Sequence, residues 1–196
     1  MKESPSRHIR TLIYAGLILW SAFLLYTLFR APSPLWRTIL RAAALFGYTT
    51  LFLAILASEY MREMRKLFGR TFLQVHHRLA LTGLFLIAVH PLTYALQTGS
   101  LSVLVPIWSP LRDFLTWASR PALYLILIAS AAAVVRNRIK SRWKVIHWLN
   151  YVAFFLIFVH AQLLGSDVGG GILRFPWTVM AAIVLGVLVH KRLFRR

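Results

Sequence analysis

Five of the seven histidines lie inside long apolar segments, where imidazole is the best available metal ligand. His76, His77 and His90 fall in one segment, and His147 and His160 fall in another. An ionisable residue at membrane depth is costly, so its presence there indicates a functional site. The chain has no cysteine, which excludes disulfides, thiolate metal sites, iron–sulfur clusters and covalent CxxCH haem attachment. None of the five acidic residues lies in the middle of an apolar segment, so histidine is the ligand expected for a transition metal.

The spacing of the histidines predicts two sites at two depths. His76 and His90 are about 21 Å apart along a helix, and His147 and His160 are about 20 Å apart, at ~1.5 Å per residue. Pairing His76 with His147 and His90 with His160 gives two bis-imidazole sites, which fit within a hydrocarbon core of ~30 Å. Imidazole suits iron, and ligation from both faces gives a six-coordinate haem that transfers electrons. We therefore expect two haem b groups with these four residues as axial ligands, and no catalytic residue in the chain itself.

Rotational phase separates the two adjacent histidines. Fourteen residues at ~100° each return within about 40° of the starting face, so His76 and His90 share a face. The thirteen residues from His77 to His90 end about 140° away, which makes His77 the alternative to His76 as inner ligand. The same thirteen-residue interval separates His147 from His160, so a local bend or tight turn is needed to absorb the mismatch there.

Other polar residues near these positions are candidates for supporting roles. Three arginines are candidate partners of haem propionates, although the stems of two of them, Arg41 and Arg120, could equally snorkel to the membrane surface; the third is Arg78, which could equally face lipid headgroups. Amide side chains could bond a ligand imidazole and so set its tautomer; these are Gln74, Asn150 and Gln162.

The elements that position these residues are predicted to be membrane-spanning helices. The chain has 196 residues, of which 59% are hydrophobic and 14% charged, whereas soluble domains are about half apolar and about a quarter charged. A spanning helix needs ~20 mostly apolar residues, and six segments qualify or come close: 11–29, 38–58, 71–96, 114–135, 143–164 and 177–190. The first could be a signal peptide, but it exceeds a usual signal core and no A-x-A-like site follows it, so we expect it to be retained. The predicted fold is an all-α bundle of six helices forming one domain, residues 1–196.

The charge distribution predicts the topology. The net charge is +18, but a basic nucleic-acid binder needs a polar body, so nucleic acid is not an expected partner. Cytoplasmic loops carry excess Lys and Arg, so six helices with both termini in the cytoplasm of a prokaryotic cell membrane agree with the loop charges. Of the 23 basic residues, 16 lie in four clusters on that side: Lys2, Arg7 and Arg10; Arg62, Arg65, Lys66 and Arg70; Arg136, Arg138, Lys140, Arg142 and Lys144; Lys191, Arg192, Arg195 and Arg196.

The stretches around the histidines resemble the ferric reductase-like transmembrane domain family. The resemblance rests on His76-His77-Arg78-Leu79 through His90-Pro91-Leu92, and on Trp143-Lys144-Val145-Ile146-His147 through His160 to Leu164-Gly165-Ser166-Asp167. That family includes ferric reductases, NADPH oxidases and the haem-binding membrane subunit of the periplasmic methionine sulfoxide reductase system. The resemblance implies electron transfer through bis-histidine haems to an acceptor on the outer side.

The resemblance does not by itself identify the electron donor or the electron acceptor. Oxidase and reductase members continue into a cytoplasmic flavin and NADPH module, and this sequence ends at Arg196, so we expect a separate flavoprotein carrying FAD or FMN, or a membrane quinol, as donor. An alternative function is a membrane subunit that donates electrons to a periplasmic methionine sulfoxide reductase; the presence of His76 favours two haems over the single haem of members without it. A rival from another class is a non-haem membrane transporter or scaffold, whose histidines bind a transition metal or merely pack.

Overall fold

A computed structural model describes residues 5–68 and 72–194, and the side chains of 7–68 and 74–190. Within these residues the chain is helical and contains no strand. Its elements are α1 Pro5–Phe29, α2 Leu35–Glu59, α3 Met61–Phe68, α4 Phe72–Thr98, a 3₁₀ turn Leu101–Leu104, α5 Leu111–Thr116, α6 Ser119–Val134, α7 Arg136–Ile139, α8 Arg142–His147, α9 Leu149–Leu164 and α10 Arg174–Phe194. The chain divides into two compact units, with the boundary between His90 and Pro91.

Four helical stretches are long and apolar enough to cross a membrane: Arg7–Phe29, Leu35–Glu59, Gln74–Thr98 and Arg142–Leu164. Between 11% and 39% of the residues in their most apolar windows are buried inside the protein, so most of this apolar surface is left for another apolar medium. Lipid supplies such a medium, since only helices and closed barrels satisfy the backbone within a bilayer. The first, second, third and fifth predicted segments are thereby confirmed as candidate spans.

The first unit contains α1, α2, α3 and the greater part of α4. Helices α2 and α4 run antiparallel and approach closely at two glycines: a Cβ on Gly47 would lie 3.3 Å from Ile87, and a Cβ on Gly83 would lie 3.3 Å from Leu51. Arg41 of α2 donates to the carbonyls of Thr27 and Leu28 at 3.1 and 3.2 Å. The last carbonyls of a helix have no partner within it, and these two are among the last carbonyls of α1. Arg41 therefore connects the end of α1 to α2 by hydrogen bonds.

The second unit packs α5 and α6 against α8 and α9, and α10 against α9. The predicted fourth segment, 114–135, is not one helix: α5 ends at Thr116 and α6 begins at Ser119. The break follows from Pro121, which has no backbone N–H to continue the helical ladder. The predicted fifth segment, 143–164, is divided at Trp148 into α8 and α9.

Two apolar helices are shorter than the other four, Ser119–Val134 and Arg174–His190, so the count of six spans stays a prediction. The sixth segment, predicted as 177–190, extends from Arg174 to Phe194. The short helices α3 and α7 lie between apolar segments and were not predicted. Several predicted features fall outside the described residues: Lys2, Arg70, Arg195, Arg196 and the first residue of the third segment, Thr71.

Candidate functional site

Four of the five histidines in the apolar helical stretches are held in the same way, by a hydrogen bond from the imidazole Nδ1 to a backbone carbonyl of another helix. In the first unit His76 donates to Ala54 at 3.0 Å and His90 donates to Leu40 at 3.0 Å. The other two donate to carbonyls in the second unit, His147 to Ala129 at 3.1 Å and His160 to Thr116 at 2.7 Å. These are the same four histidines that the sequence spacing selects as ligands.

The bonds repeat the same register in each unit. His76 and His90 are fourteen residues apart on α4, and the carbonyls that they meet, Ala54 and Leu40, are fourteen residues apart on α2. In the second unit the interval is thirteen residues on both sides, between His147 and His160 and between Ala129 and Thr116. Each unit therefore contains an antiparallel pair in which the earlier stretch supplies two carbonyls and the later stretch supplies two imidazoles. Although the sequence shows no clear repeat, the two units place their histidines equivalently.

Small side chains make three of these carbonyls accessible. In a helix the carbonyl of residue i is flanked by the side chains of residues i+3 and i+4, which is why Ser and Thr bond back to it from those positions, as Thr50 does to Phe46 and Gly47. The residues at i+3 and i+4 from the three helical acceptors leave room for an imidazole from another helix; they are Ala43 and Ala44 after Leu40, Ala57 and Ser58 after Ala54, and Ala132 and Ala133 after Ala129.

The fourth carbonyl is released by the break between α5 and α6. In a continuous helix the N–H of Arg120 would donate to Thr116, but here it donates to Trp117 at 2.9 Å. Pro121 has no backbone N–H, so it does not compete with Arg120 for the Trp117 carbonyl. The bond from Arg120 to Trp117 is therefore kept. The Thr116 carbonyl accepts from His160 instead, in the shortest of the four bonds.

His77 differs from His76 in its exposure and in its hydrogen bonding. Its side chain is exposed, and within the described residues no backbone carbonyl accepts a hydrogen bond from it. Its ring lies 5.9 Å from that of His76, centre to centre. Of the two adjacent histidines, His76 is the one whose ring orientation is fixed by a hydrogen bond. This agrees with the rotational phase, which favours His76 over His77.

A tight turn at Trp148 accounts for part of the phase mismatch in the second unit. Trp148 has φ −65° and ψ −17°; its N–H is shared between the carbonyls of Lys144 and Val145, and its carbonyl accepts from Tyr151. The bonds to Val145 and from Tyr151 span three residues and are of the 3₁₀ type, whereas the bond to Lys144 is α-helical. Each 3₁₀ residue turns the chain by ~120° rather than ~100°. Three such steps reduce the offset between His147 and His160 from about 140° to about 80°, and both rings reach the α5–α6 stretch.

The three candidate propionate partners lie in different settings. Arg41 binds the end of α1, as described above, and Arg78 is exposed. Arg120 donates to the carbonyls of Ser102 and Val105 at 3.3 and 2.9 Å, and its guanidinium lies 4.4 Å from the centre of the Trp117 ring. Contacts with carbonyls thus give Arg41 and Arg120 structural roles, while binding of propionate by any of the three stays a prediction.

The carbonyl partners indicate the tautomer of the imidazoles. A carbonyl oxygen only accepts, so Nδ1 carries the proton in His76, His90 and His160, and in a neutral ring the lone pair then resides on Nε2, the nitrogen suited to bind a metal. The Nδ1 of His147 lies near both the Ala129 carbonyl, which favours the same tautomer, and the Asn150 amide nitrogen, which is itself a donor. Ligating histidines generally donate their other N–H to a carbonyl or carboxylate in this way. Of the amide side chains proposed from the sequence, Asn150 places its amide nitrogen 3.3 Å from the Nδ1 of His147, and the same nitrogen donates to the His147 carbonyl at 3.0 Å. Gln162 donates to Thr178 at 3.2 Å. The four backbone carbonyls were not anticipated.

Clusters of ligands that could hold a bare metal ion are not found among the described residues, where no three His, Asp or Glu side chains converge. Comparison with known proteins gives no match to a family model, a curated protein or a solved structure.

Proposed function

We propose that this chain is a multi-pass membrane protein that binds two haem b groups and carries electrons across the bilayer, in the manner of the ferric reductase-like family. His76 and His147 hold the inner haem, and His90 and His160 hold the outer one. The observation that carries the proposal is the common Nδ1–carbonyl bond at these four residues and at no other intramembrane histidine among the described residues.

The donor set fits haem iron on chemical grounds. Two neutral imidazoles, each with its lone pair on Nε2, would be suited to hold one haem iron. The carbonyl that accepts from each Nδ1 orients the ring and raises the basicity of the ligating nitrogen. Haem supplies a one-electron Fe(III)/Fe(II) couple when bound. The chain's own contribution is to hold each imidazole in one orientation and to keep water away with apolar helices.

The equivalent registers of the two units support pairing by depth. His76 and His147 each lie toward the basic end of their helical stretch, near Arg65 and Lys66 in one case and Arg142 and Lys144 in the other. His90 and His160 lie toward the opposite ends. Positive loops face the cytoplasm, so the first pair is the inner site and the second pair the outer site in a six-span topology within the prokaryotic cell membrane.

The direction of transfer follows from that topology. Electrons enter at the inner site from a separate flavoprotein or from membrane quinol, and leave from the outer site to an acceptor on the other side. The chain acts as an electron-transfer component, and the reaction of the acceptor takes place on a partner or on a small oxidant.

An optical and analytical experiment tests the proposal. Protein from haem-replete expression should show a b-type α-band in its reduced-minus-oxidised spectrum and about two haems per chain by pyridine haemochrome. His76→Ala and His90→Ala should each lower the count to about one, because each removes one axial imidazole. His77→Ala is the matched control and should leave two.

Two results would contradict the proposal. A protein with no α-band after haem-replete expression would show that the chain is not a cytochrome. Loss of haem in His77→Ala with retention in His76→Ala would show that the inner ligand is assigned to the wrong histidine.

A further inference from the structure

An open cleft in the first unit combines basic and aromatic side chains in a way that the proposed electron transfer does not use. Its volume is about 410 Å³, and it is lined by Arg7, Arg10, Thr11, Tyr14, Phe68 and Val75. This volume is within the range of ~300–1,000 Å³ that small-molecule sites occupy.

The lining residues of α1 form one stripe of the helix. Arg7, Arg10, Thr11 and Tyr14 follow the i, i+3, i+4, i+7 spacing that places side chains on one face. Phe68, the last residue of α3, closes the cleft with its ring edge-on to that of Tyr14 at 6.0 Å between centres. The cleft is thus lined by two arginines and a threonine together with two aromatic rings.

The charge around this cleft is positive. Among the described residues that line it, none is acidic, and Glu59 and Glu63 are the two acids of the described part of this unit, against nine Lys and Arg residues. The cleft lies at the end where α1 begins, α3 ends and α4 has its first turns, which is the basic, cytoplasmic end in the proposed topology. Basic pockets between helices at that membrane surface suit the head groups of anionic phospholipids, and Tyr is a residue of that interface.

We infer that this cleft binds the phosphate of an anionic phospholipid headgroup. Arg7 and Arg10 bind the phosphate oxygens, as guanidinium groups do with fork geometry. Thr11, whose hydroxyl donates to the Arg7 carbonyl at 3.1 Å, lines the cleft without donating to the phosphate, and Tyr14 and Phe68 contact the glycerol and the first acyl carbons. The inference rests on the proposed membrane location but not on haem, so haem content measured on the same samples separates a failure of one from a failure of the other.

Native mass spectrometry of the full chain in detergent tests the site. The protein is titrated with short-chain phosphatidylglycerol, with phosphatidylcholine of the same chain length, and with inorganic phosphate, at an ionic strength of about 0.15 M. Phosphatidylglycerol should bind about ten-fold or more tightly than either of the others. Arg7→Gln/Arg10→Gln should weaken it about 25-fold, since each basic residue near the surface contributes roughly a five-fold factor.

The matched control removes the same charge from α3 outside the cleft. Arg62→Gln/Arg65→Gln should change the affinity less than about three-fold, because both side chains are exposed and neither lines the cleft. Equal losses in the two double variants would overturn the site in favour of diffuse attraction. Binding of inorganic phosphate or phosphatidylcholine as tightly as phosphatidylglycerol would overturn the lipid assignment. If the double variant fails to fold, Arg10→Gln should still weaken binding and Arg10→Lys should restore most of it.

Discussion

At the scale of single residues, the sequence predicts which histidines are ligands, while the carbonyls that orient these histidines are found only in the structure. Histidine types and a fourteen-residue spacing select His76 and His90 without any coordinates. The carbonyls of Leu40 and Ala54 carry no such signal, because every residue has a carbonyl. The sequence contains one indirect signal, the pair of small residues at i+3 and i+4, such as Ala57 and Ser58. This signal can be interpreted only when the neighbouring helix and its register are known.

The small residues beside an accepting carbonyl give a test of this arrangement. Ala132 is three residues after Ala129 and is 5% exposed, so Ala132→Leu should displace the imidazole of His147 from the Ala129 carbonyl. Loss of such a support typically costs 10–100-fold in metal affinity. We therefore expect haem at the inner site to be lost about ten-fold more readily, measured as transfer to excess apomyoglobin.

The neighbouring residue supplies the control for that change. Ala131 carries the same side chain on the exposed face of α6, and Ala131→Leu should leave haem transfer unaltered. If the two variants lost haem at the same rate, access to the Ala129 carbonyl would have no part in ligand binding. Overpacking by leucine costs ~1–3 kcal/mol, so unfolding is followed in both variants to separate general destabilisation from a specific effect.

At the scale of elements, long apolar helices were predictable, whereas the positions of their interruptions were not. Hydropathy averaged over a span detects α1, α2 and α4 because their apolar residues are continuous. It passes over the break between α5 and α6, since Trp117 and Ala118 are apolar, and over the turn at Trp148 for the same reason. The short helices α3 and α7 are not detected because their basic residues lower the average hydropathy. These breaks have consequences for the site: one releases the Thr116 carbonyl, and the other changes the phase of His147.

The 3₁₀ turn Leu101–Leu104 depends on side chains from α6. Arg120 donates to Ser102 and Val105, and Tyr124 donates to the Leu104 carbonyl at 3.1 Å. A hydrogen bond from a charged group contributes ~1.5–3 kcal/mol, so Arg120→Gln should speed amide exchange of residues 101–105 by about ten-fold or more.

Hydrogen exchange followed by mass spectrometry measures this effect. Tyr124→Phe removes one neutral bond, worth ~1 kcal/mol, and should speed exchange by about five-fold. Arg112→Gln removes an equal charge from an exposed position of α5 and should have no effect. Equal acceleration by Arg112→Gln and Arg120→Gln would indicate that net charge, rather than the bonds of Arg120, orders the turn.

At the scale of the whole molecule, the proposed topology depends on α6. It has 16 residues, or about 24 Å at ~1.5 Å per residue, whereas a bilayer core is ~30 Å thick. The preceding α5 and the snorkelling of flanking arginines supply the missing length. With α6 as a span, residues 109 and 141 lie on opposite sides of the membrane; without it, they lie on the same side.

Because the chain has no cysteine, single cysteines report their side of the membrane without background. In intact cells an impermeant maleimide should label Ala31→Cys, Ser109→Cys and Gly170→Cys, all at exposed positions of the proposed outer side. Met61→Cys and Ser141→Cys should be labelled only after permeabilisation, because the basic clusters beside them are retained in the cytoplasm. Labelling of Ser141→Cys in intact cells, together with Ser109→Cys, would remove α6 as a span and place His147 at the outer surface. Since His76 would stay at the inner end of α4, the pairing of His76 with His147 at one haem would then be impossible.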